Sequence, residues 1–156
     1  MPAKMRLIRE VIYKVRQFFR RFVSPVSLGC RALVVKDGQV LLVKHSYQDG
    51  WYLPGGAVDK GEALPVAVVR ELAEECAISV KVPILKHMFF SEFERRSDHI
   101  AFFVIDDFEP ISGAKPDGEI AELGFFRLDQ LPEGASKATR RRVAEFTSGA
   151  ALPERW

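Results

Sequence analysis

Gly55-Gly56-Ala57-Val58-Asp59-Lys60-Gly61-Glu62, followed by Arg70-Glu71-Leu72-Ala73-Glu74-Glu75, is the stretch whose reading decides the fold. A glycine-rich loop passes into a helix over residues 65–76, with Pro65 in the first turn, where its missing N–H costs nothing. On that helix Glu71, Glu74 and Glu75 stand at i, i+3 and i+4, so three carboxylates share one face about a turn apart. Val68, Val69, Leu72 and Cys76 form an opposite face that can be buried. Like charges this close raise each other's pKa unless a cation neutralises them. Oxygen ligands without histidine or cysteine suit Mg²⁺ or Mn²⁺ rather than zinc, and magnesium so held shares its remaining positions with substrate phosphates. The residues alone therefore point to metal-assisted chemistry on a phosphate ester or anhydride. The bland alternative is a solvated acidic face, the commoner fate of such clusters.

Outward from this stretch the chain reads mostly as strands. Val26–Val35 and Gln39–His45 form a predicted hairpin around Lys36-Asp37-Gly38, since Asp-Gly is a strong turn signal. Apolar segments follow near 78–90 and 98–107, separated by Glu94-Arg95-Arg96-Ser97. A loop with Pro110, Gly113, Pro116 and Gly118 leads to a strand over Ile120–Leu128, and a last helix spans roughly 135–147, closed by Gly149. Strands with helices inserted between and after them predict an α+β fold of one domain. Residues 5–22 predict one further helix, because Ile8, Val11, Ile12, Val15, Phe18, Phe19 and Phe22 fall on a single stripe with the arginines opposite. Ser24-Pro25 ends it. The expected division is a basic amphipathic helix and connector over 1–25 and a domain over 26–156.

Composition narrows the class. The chain has 156 residues, 47% hydrophobic and 28% charged, enough for one domain with a real core. Its longest apolar run, Ile100 to Ile105, is far short of the roughly 18 residues that span a bilayer. Only Cys30 and Cys76 occur, with no CxxC, so neither a disulfide framework nor a zinc site is expected and a reducing cytoplasm fits best. Residues 1–21 carry seven basic groups against Glu10, a local +6, which leaves −4 for the rest of a chain whose net charge is +2. A mildly acidic body argues against nucleic acid as the main partner. The terminal helix instead offers a contact to its own domain, to a second copy or to an anionic membrane surface, making a membrane-peripheral location the alternative to a freely cytoplasmic one.

The run Gly56-x5-Glu62-x7-Arg70-Glu71-Leu72-x-Glu74-Glu75-x-Ala77-Ile78 resembles the signature box of the Nudix hydrolases, Gly-x5-Glu-x7-Arg-Glu-U-x-Glu-Glu-x-Gly-U, with U a bulky aliphatic. Every defined position matches except the last glycine, which is Ala77. The resemblance covers about residues 26–148, including Trp51-Tyr52-Leu53-Pro54 at the entry and Glu119 to Pro132 near the end. It implies a Nudix-type α/β/α sandwich with a mixed sheet. It also implies metal-dependent hydrolysis of a nucleoside diphosphate linked to another moiety. Carried over by position, Glu74 and Glu75 would be the main metal ligands, with the Gly55 carbonyl completing the shell and Glu71 a ligand or general base. Arg70 would orient the glutamates, and Glu62 would anchor the loop to the helix. Glu119 is a candidate additional base or ligand, with Glu122 its competitor. Motifs that mark family members specific for ADP-ribose, diadenosine polyphosphates, coenzyme A or NADH are not found, which favours nucleoside triphosphates. A catalytically weak nucleotide-binding or membrane-surface module is the alternative.

Other residues read more modestly. If the box's final glycine closes the helix in a left-handed conformation, Ala77 costs about 1 kcal/mol without touching chemistry. His45, His87 and His99 show no ligand spacing and read as structural or solvent-facing. Trp51, Tyr52, Phe89, Phe90, Phe93, Phe102 and Phe103 read mainly as core, with a base-stacking platform among them the minority case. Arg140-Arg141-Arg142 reads as a solvated helix face.

Overall fold

Asp37 and Gly38 both take positive φ, 50° and 74°. That is the backbone of a two-residue hairpin turn matched to the twist of its strands, and it joins β1 (Val26–Lys36) to β2 (Gln39–His45) as the Asp-Gly signal predicts. The structure, a computed structural model, describes residues 26–93 and 96–156. The predicted helix over 5–22 lies outside the described residues.

The remaining elements are α1 (Leu64–Cys76), β3 (Ile78–Ser79), β4 (Ile84–Phe93), β5 (Arg96–Ile105), β6 (Glu109–Pro110), β7 (Ile120–Arg127) and α2 (Lys137–Ser148). Five strands form one sheet in the order β4-β5-β1-β2-β7, and β3 and β6 form a small second ladder. β1 runs parallel to β5, whereas the other neighbouring pairs are antiparallel, so the sheet is mixed. The single apolar segment expected over 78–90 is split at Pro83, which has no N–H to give to a ladder.

Central strands are apolar on both faces because both faces are covered. Cys30, Ala32, Val34, Leu41 and Val43 pack under α1 with Ala67, Val68 and Leu72. Leu33, Val40, Leu42, Phe89 and Phe102 pack on the other side with Val143 of α2. The result is the helix–sheet–helix sandwich expected from the resemblance. Among the described residues no helix is long and apolar enough to cross a membrane.

One departure from simple hairpin geometry positions the site. β1 and β2 pair only at their turn end, Val35 with Val40 and Lys36 with Gln39. Beyond it they diverge, and the loop after β2 enters the gap. Cys30 N–H donates to the Gly56 carbonyl at 2.9 Å, Ala32 N–H to Pro54 at 2.9 Å, and Val58 N–H to Leu28 at 3.0 Å. Val43 and Tyr52 exchange both backbone bonds. The glycine loop is therefore bonded into the middle of the sheet.

The arginine run corrects a sequence expectation. Ser136 caps α2 by accepting from Thr139 N–H at 3.0 Å, and Gly149 closes the helix with φ 65°. Within it Arg142 is 1% exposed rather than solvated. Its guanidinium lies 4.1 Å from the Phe89 ring centroid and 5.1 Å from that of Trp156, and it pairs with Glu145 at 2.7 Å. Arg140 and Arg141 donate to backbone carbonyls of Pro132, Glu133, Ala135 and Trp156.

Candidate active site

Two glycines make the carboxylate cluster sterically feasible. Gly55 has φ 127°, and a Cβ there would strike the Cys30 carbonyl oxygen, so only glycine lets the loop lie against β1. A Cβ on Gly56 would occupy the space of the Glu71 carboxylate. The loop backbone and the carboxylate-bearing turn of α1 thus touch directly.

Glu75 is 7% exposed, and one of its oxygens accepts from Gly55 N–H at 2.7 Å. Burial pushes its pKa up to about 8, with the Glu71 and Asp117 charges adding to the rise and the Gly55 bond and the Arg31 charge opposing it. Glu71 is raised as well, mainly by burial, against a hydrogen bond from Arg70. Glu74 is exposed and reaches Arg70 at 3.2 Å.

Arg70 is the hub of this arrangement. It grips Glu62 with two bonds of 2.9 Å, Glu71 at 2.8 Å and the Ala57 carbonyl at 3.1 Å. Glu62 in turn accepts from Asp59 N–H at 3.0 Å, and its pKa falls to about 2 chiefly through the Arg70 bonds. A bidentate Arg–carboxylate pair fixes direction as well as charge. One guanidinium therefore ties the loop to the helix and holds the Glu71 carboxyl in place.

Sequence reasoning passed over two residues that the structure brings into this field. Arg31 on β1 is the nearby cation whose charge lowers the pKa of both Glu71 and Glu75. Its signal was available: it is the only charged residue in the run Leu28–Val35. Asp117 is the second, and Pro116-Asp117-Gly118 looks like nothing more than turn chemistry. Its N–H donates to the Glu74 carbonyl at 2.8 Å, locking the loop to the last turn of α1, and its carboxylate accepts from Glu119 N–H at 2.9 Å. Glu119 sits beside it, with its carbonyl accepting from Ser46 N–H at 2.8 Å. Glu122 lies on β7 in an exposed 2.8 Å pair with Lys44.

His45 joins the same region. Burial, with the Arg31 charge, drives its pKa down to about 4, so it is neutral at physiological pH. It stacks on Tyr47 at 5.1 Å and lies 5.9 Å from Tyr52. Among the expected aromatic candidates, Phe89, Phe102 and Phe103 are buried core.

The donor set fits a divalent cation that prefers oxygen. Glu62, Glu71, Glu74, Glu75 and Asp117 supply five carboxylates, against which Arg70 and Arg31 are the cations acting on Glu71 and Glu75. The Glu71 carboxyl sits in a cradle that a methyl group at Gly56 would fill, and burial disfavours the ionised forms of both Glu71 and Glu75 until a positive charge arrives. No His, Cys, Asp or Glu triad is already gathered as a metal cage among the described residues. The ion thus has to complete the cluster with waters or substrate oxygens, as magnesium does.

A mixed sheet between helices, with a glycine loop laid against a carboxylate-bearing helix, is the fold and site that the signature's resemblance implied. The comparisons with known proteins give the family: the NUDIX domain model matches residues 24–146, and the chain belongs to the Nudix hydrolases. It is 31% identical over 121 residues to an ADP-ribose pyrophosphatase of Methanocaldococcus jannaschii, covering 74% of this chain and 69% of that protein. It is 34% identical over 107 residues to an oxidized purine nucleoside triphosphate hydrolase of Danio rerio, covering 64% and 65%. The crystal structure of a MutT NUDIX hydrolase from Burkholderia pseudomallei superposes with a TM-score of 0.64 at 28% identity, over 76% of this chain and 96% of that one. The protein is thus a pyrophosphohydrolase of nucleoside diphosphate-linked small molecules, in a family that generally uses divalent metals.

Proposed function

We propose that the chain cleaves nucleoside triphosphates to a nucleoside monophosphate and pyrophosphate, with Mg²⁺ or Mn²⁺ held by Glu71, Glu74, Glu75 and the Gly55 carbonyl. The observation that carries this is Glu75: a nearly buried carboxylate, fixed by one backbone N–H and facing a second carboxylate, has no use in a binder of neutral or anionic ligands. When bound, the ion supplies charge neutralisation at the diphosphate oxygens and activation of water.

The chain's own residues do the rest. Arg70 holds the Glu71 carboxyl where it can take a proton from the attacking water. Gly55 N–H fixes the direction of Glu75. Asp117 joins Glu119 as a candidate further acid, because its charge reaches Glu75, whereas Glu122 is engaged with Lys44. Support for a triphosphate comes from the named activity of the Danio rerio relative and from the missing flanking motifs of other specificities. The 26–156 unit is the catalytic domain in this reading, working in the cytoplasm.

The deciding experiment measures phosphate and pyrophosphate release from nucleoside triphosphates, nucleotide sugars and ADP-ribose, with Mg²⁺, with Mn²⁺ and in EDTA. Triphosphates turned over at least tenfold faster than the rest, rising toward alkaline pH and silent in EDTA, is the expected pattern. Faster ADP-ribose cleavage replaces the substrate reading, and full activity in EDTA removes the metal.

A further inference from the structure

The residues placed in the site all lie after residue 26, and the sheet shows a surface that fits the helix predicted over 5–22. α1 packs on β1, while β4 lies two strands away at the sheet edge. Leu85 and Met88 of β4 pair with Phe103 and Ala101, both of which face α1, so they point to the same side. Both are exposed, as is Val66 on the flank of α1, and Val82 just before β4 is 75% exposed. On the opposite face β4 is covered: Phe89 is fully buried beneath Arg142 and Trp156. Among the described residues, one side of β4 has its covering layer and the other does not.

We propose that residues 5–22 are the helix that completes this layer, lying beside α1 over β4. The chain's length and point of entry argue for it. Eighteen helical residues are about 27 Å long, and the eight steps from Glu92 to Ile84 span about 26 Å of strand. Val26 pairs with Ser97 of β5, and Ser97 pairs with Glu92 of β4. A three-residue connector, an ordinary length for a helix-to-strand loop, therefore puts Phe22 at the Glu92 end, and the helix runs back toward Ile84. Spacing agrees as well: two strands at about 4.8 Å separate β4 from β1, which equals the 8–10 Å between packed helix axes. The surface runs from the flank of α1 to the sheet edge, against which the one-sided apolar stripe of a helix can pack. With that stripe turned inward, the arginines face water.

The test uses the full chain. Met88 lies about 13 Å from the Glu92 level, or about nine helical residues back from Phe22, between Ile12 and Val15. The pair Val15→Cys with Met88→Cys should form an intrachain disulfide under mild oxidation, independent of protein concentration. Arg16→Cys with Met88→Cys, on the polar face, should not. Cys30 and Cys76 are buried and do not compete. Separately, Met88→Asp should speed tryptic cleavage among the basic sites of residues 4–21 at least tenfold. Failure of the Val15–Met88 link, or an unchanged cleavage rate, overturns the proposal. A concentration-dependent interchain link overturns it in favour of a second copy. A missing intrachain link, with salt-sensitive sedimentation on anionic phosphatidylglycerol vesicles, overturns it in favour of a membrane.

Discussion

The two faces of the sheet each bury a charged side chain, and they neutralise it in opposite ways. Under α2, Arg142 is enclosed by Phe89 and Trp156 and paired with Glu145, so the fold itself supplies the countercharge and the ring faces. Its Nε and Nη1 have no hydrogen-bond partner and the Arg141 charge opposes it, but the attraction of Glu145 outweighs that repulsion. Under α1, Glu75 has one backbone N–H and the more distant Arg31 charge set against burial and the repulsion of Glu71 and Asp117, with no cation in an ion pair with it among the described residues. A buried charge whose neighbours match it is structural. A buried carboxylate whose pKa stays raised despite a nearby cation, with two further carboxylates acting on it, has room for a charge the fold does not supply.

The largest expected effects test the α1 side. Glu75→Gln and Glu74→Gln should each lower kcat by about 100- to 1000-fold in saturating Mg²⁺, the usual cost of removing one preorganised electrostatic contact to the transition state. Neither should lower the metal-free Tm. Glu75 also predicts a pH signature. Its folded pKa of about 8 stands above the ordinary carboxyl value of 4.5, so the folded state retains a proton that the unfolded chain loses between these values. The contribution of Glu75 to stability is full below pH 4.5 and declines as pH rises toward 8. In EDTA, Tm should therefore fall over this window in the wild type and stay flatter in Glu75→Gln. Mg²⁺ should restore the wild-type Tm at pH 8, since it binds the ionised form. A wild-type kcat for either glutamine variant, or a Tm that rises with pH in EDTA, would break the contrast between the two faces.

The α2 side should respond in the reverse sense. Arg142→Met keeps most of the apolar volume but strands Glu145, whose side chain is only 17% exposed. Loss of one partner from a buried pair destabilises by about 3 kcal/mol, and by somewhat less here because Glu145 retains some access to water. A denaturant titration should show this loss at unchanged m-value, while kcat/KM stays within about twofold of wild type. Activity falling tenfold with stability unchanged would mean that Arg142 serves the site.

How much of this was legible follows from which forces are local. The Asp37-Gly38 turn and the glycine before α1 depend on backbone conformation at one or two residues, so sequence reveals them. The Arg70 network was equally legible, because Glu62, Glu71 and Glu74 lie on the same short loop and helix. Arg142 was not, since its burial depends on Phe89 from β4 and Trp156 from beyond α2, far apart in the chain. Asp117 was hidden for the same reason. Only docking of its loop on Glu74 brings it near Glu75, and in isolation Pro-Asp-Gly is a turn.

The smallest effect concerns the one place where the signature departs from its family. Ala77 ends α1 with φ 54° and ψ 37°, a left-handed cap whose N–H bonds back to Ala73 and Leu72. An L side chain there costs about 1–2 kcal/mol, and glycine escapes that cost. Glycine also gives the unfolded chain more freedom, which takes back about 0.4–1 kcal/mol. Ala77→Gly should thus stabilise by about 0.5–1 kcal/mol, or about 1–4 °C in Tm for a chain of this size. The residue contributes no side-chain atom to the carboxylate cluster, but its carbonyl accepts from Ile111 N–H at 2.8 Å at the start of the loop that carries Asp117. If the cap is only a conformational requirement, Tm rises and kcat is unchanged. If the alanine's stiffness holds that loop against α1, Tm rises while kcat falls, and the metal-binding face reaches one turn further along the chain than the carboxylates themselves.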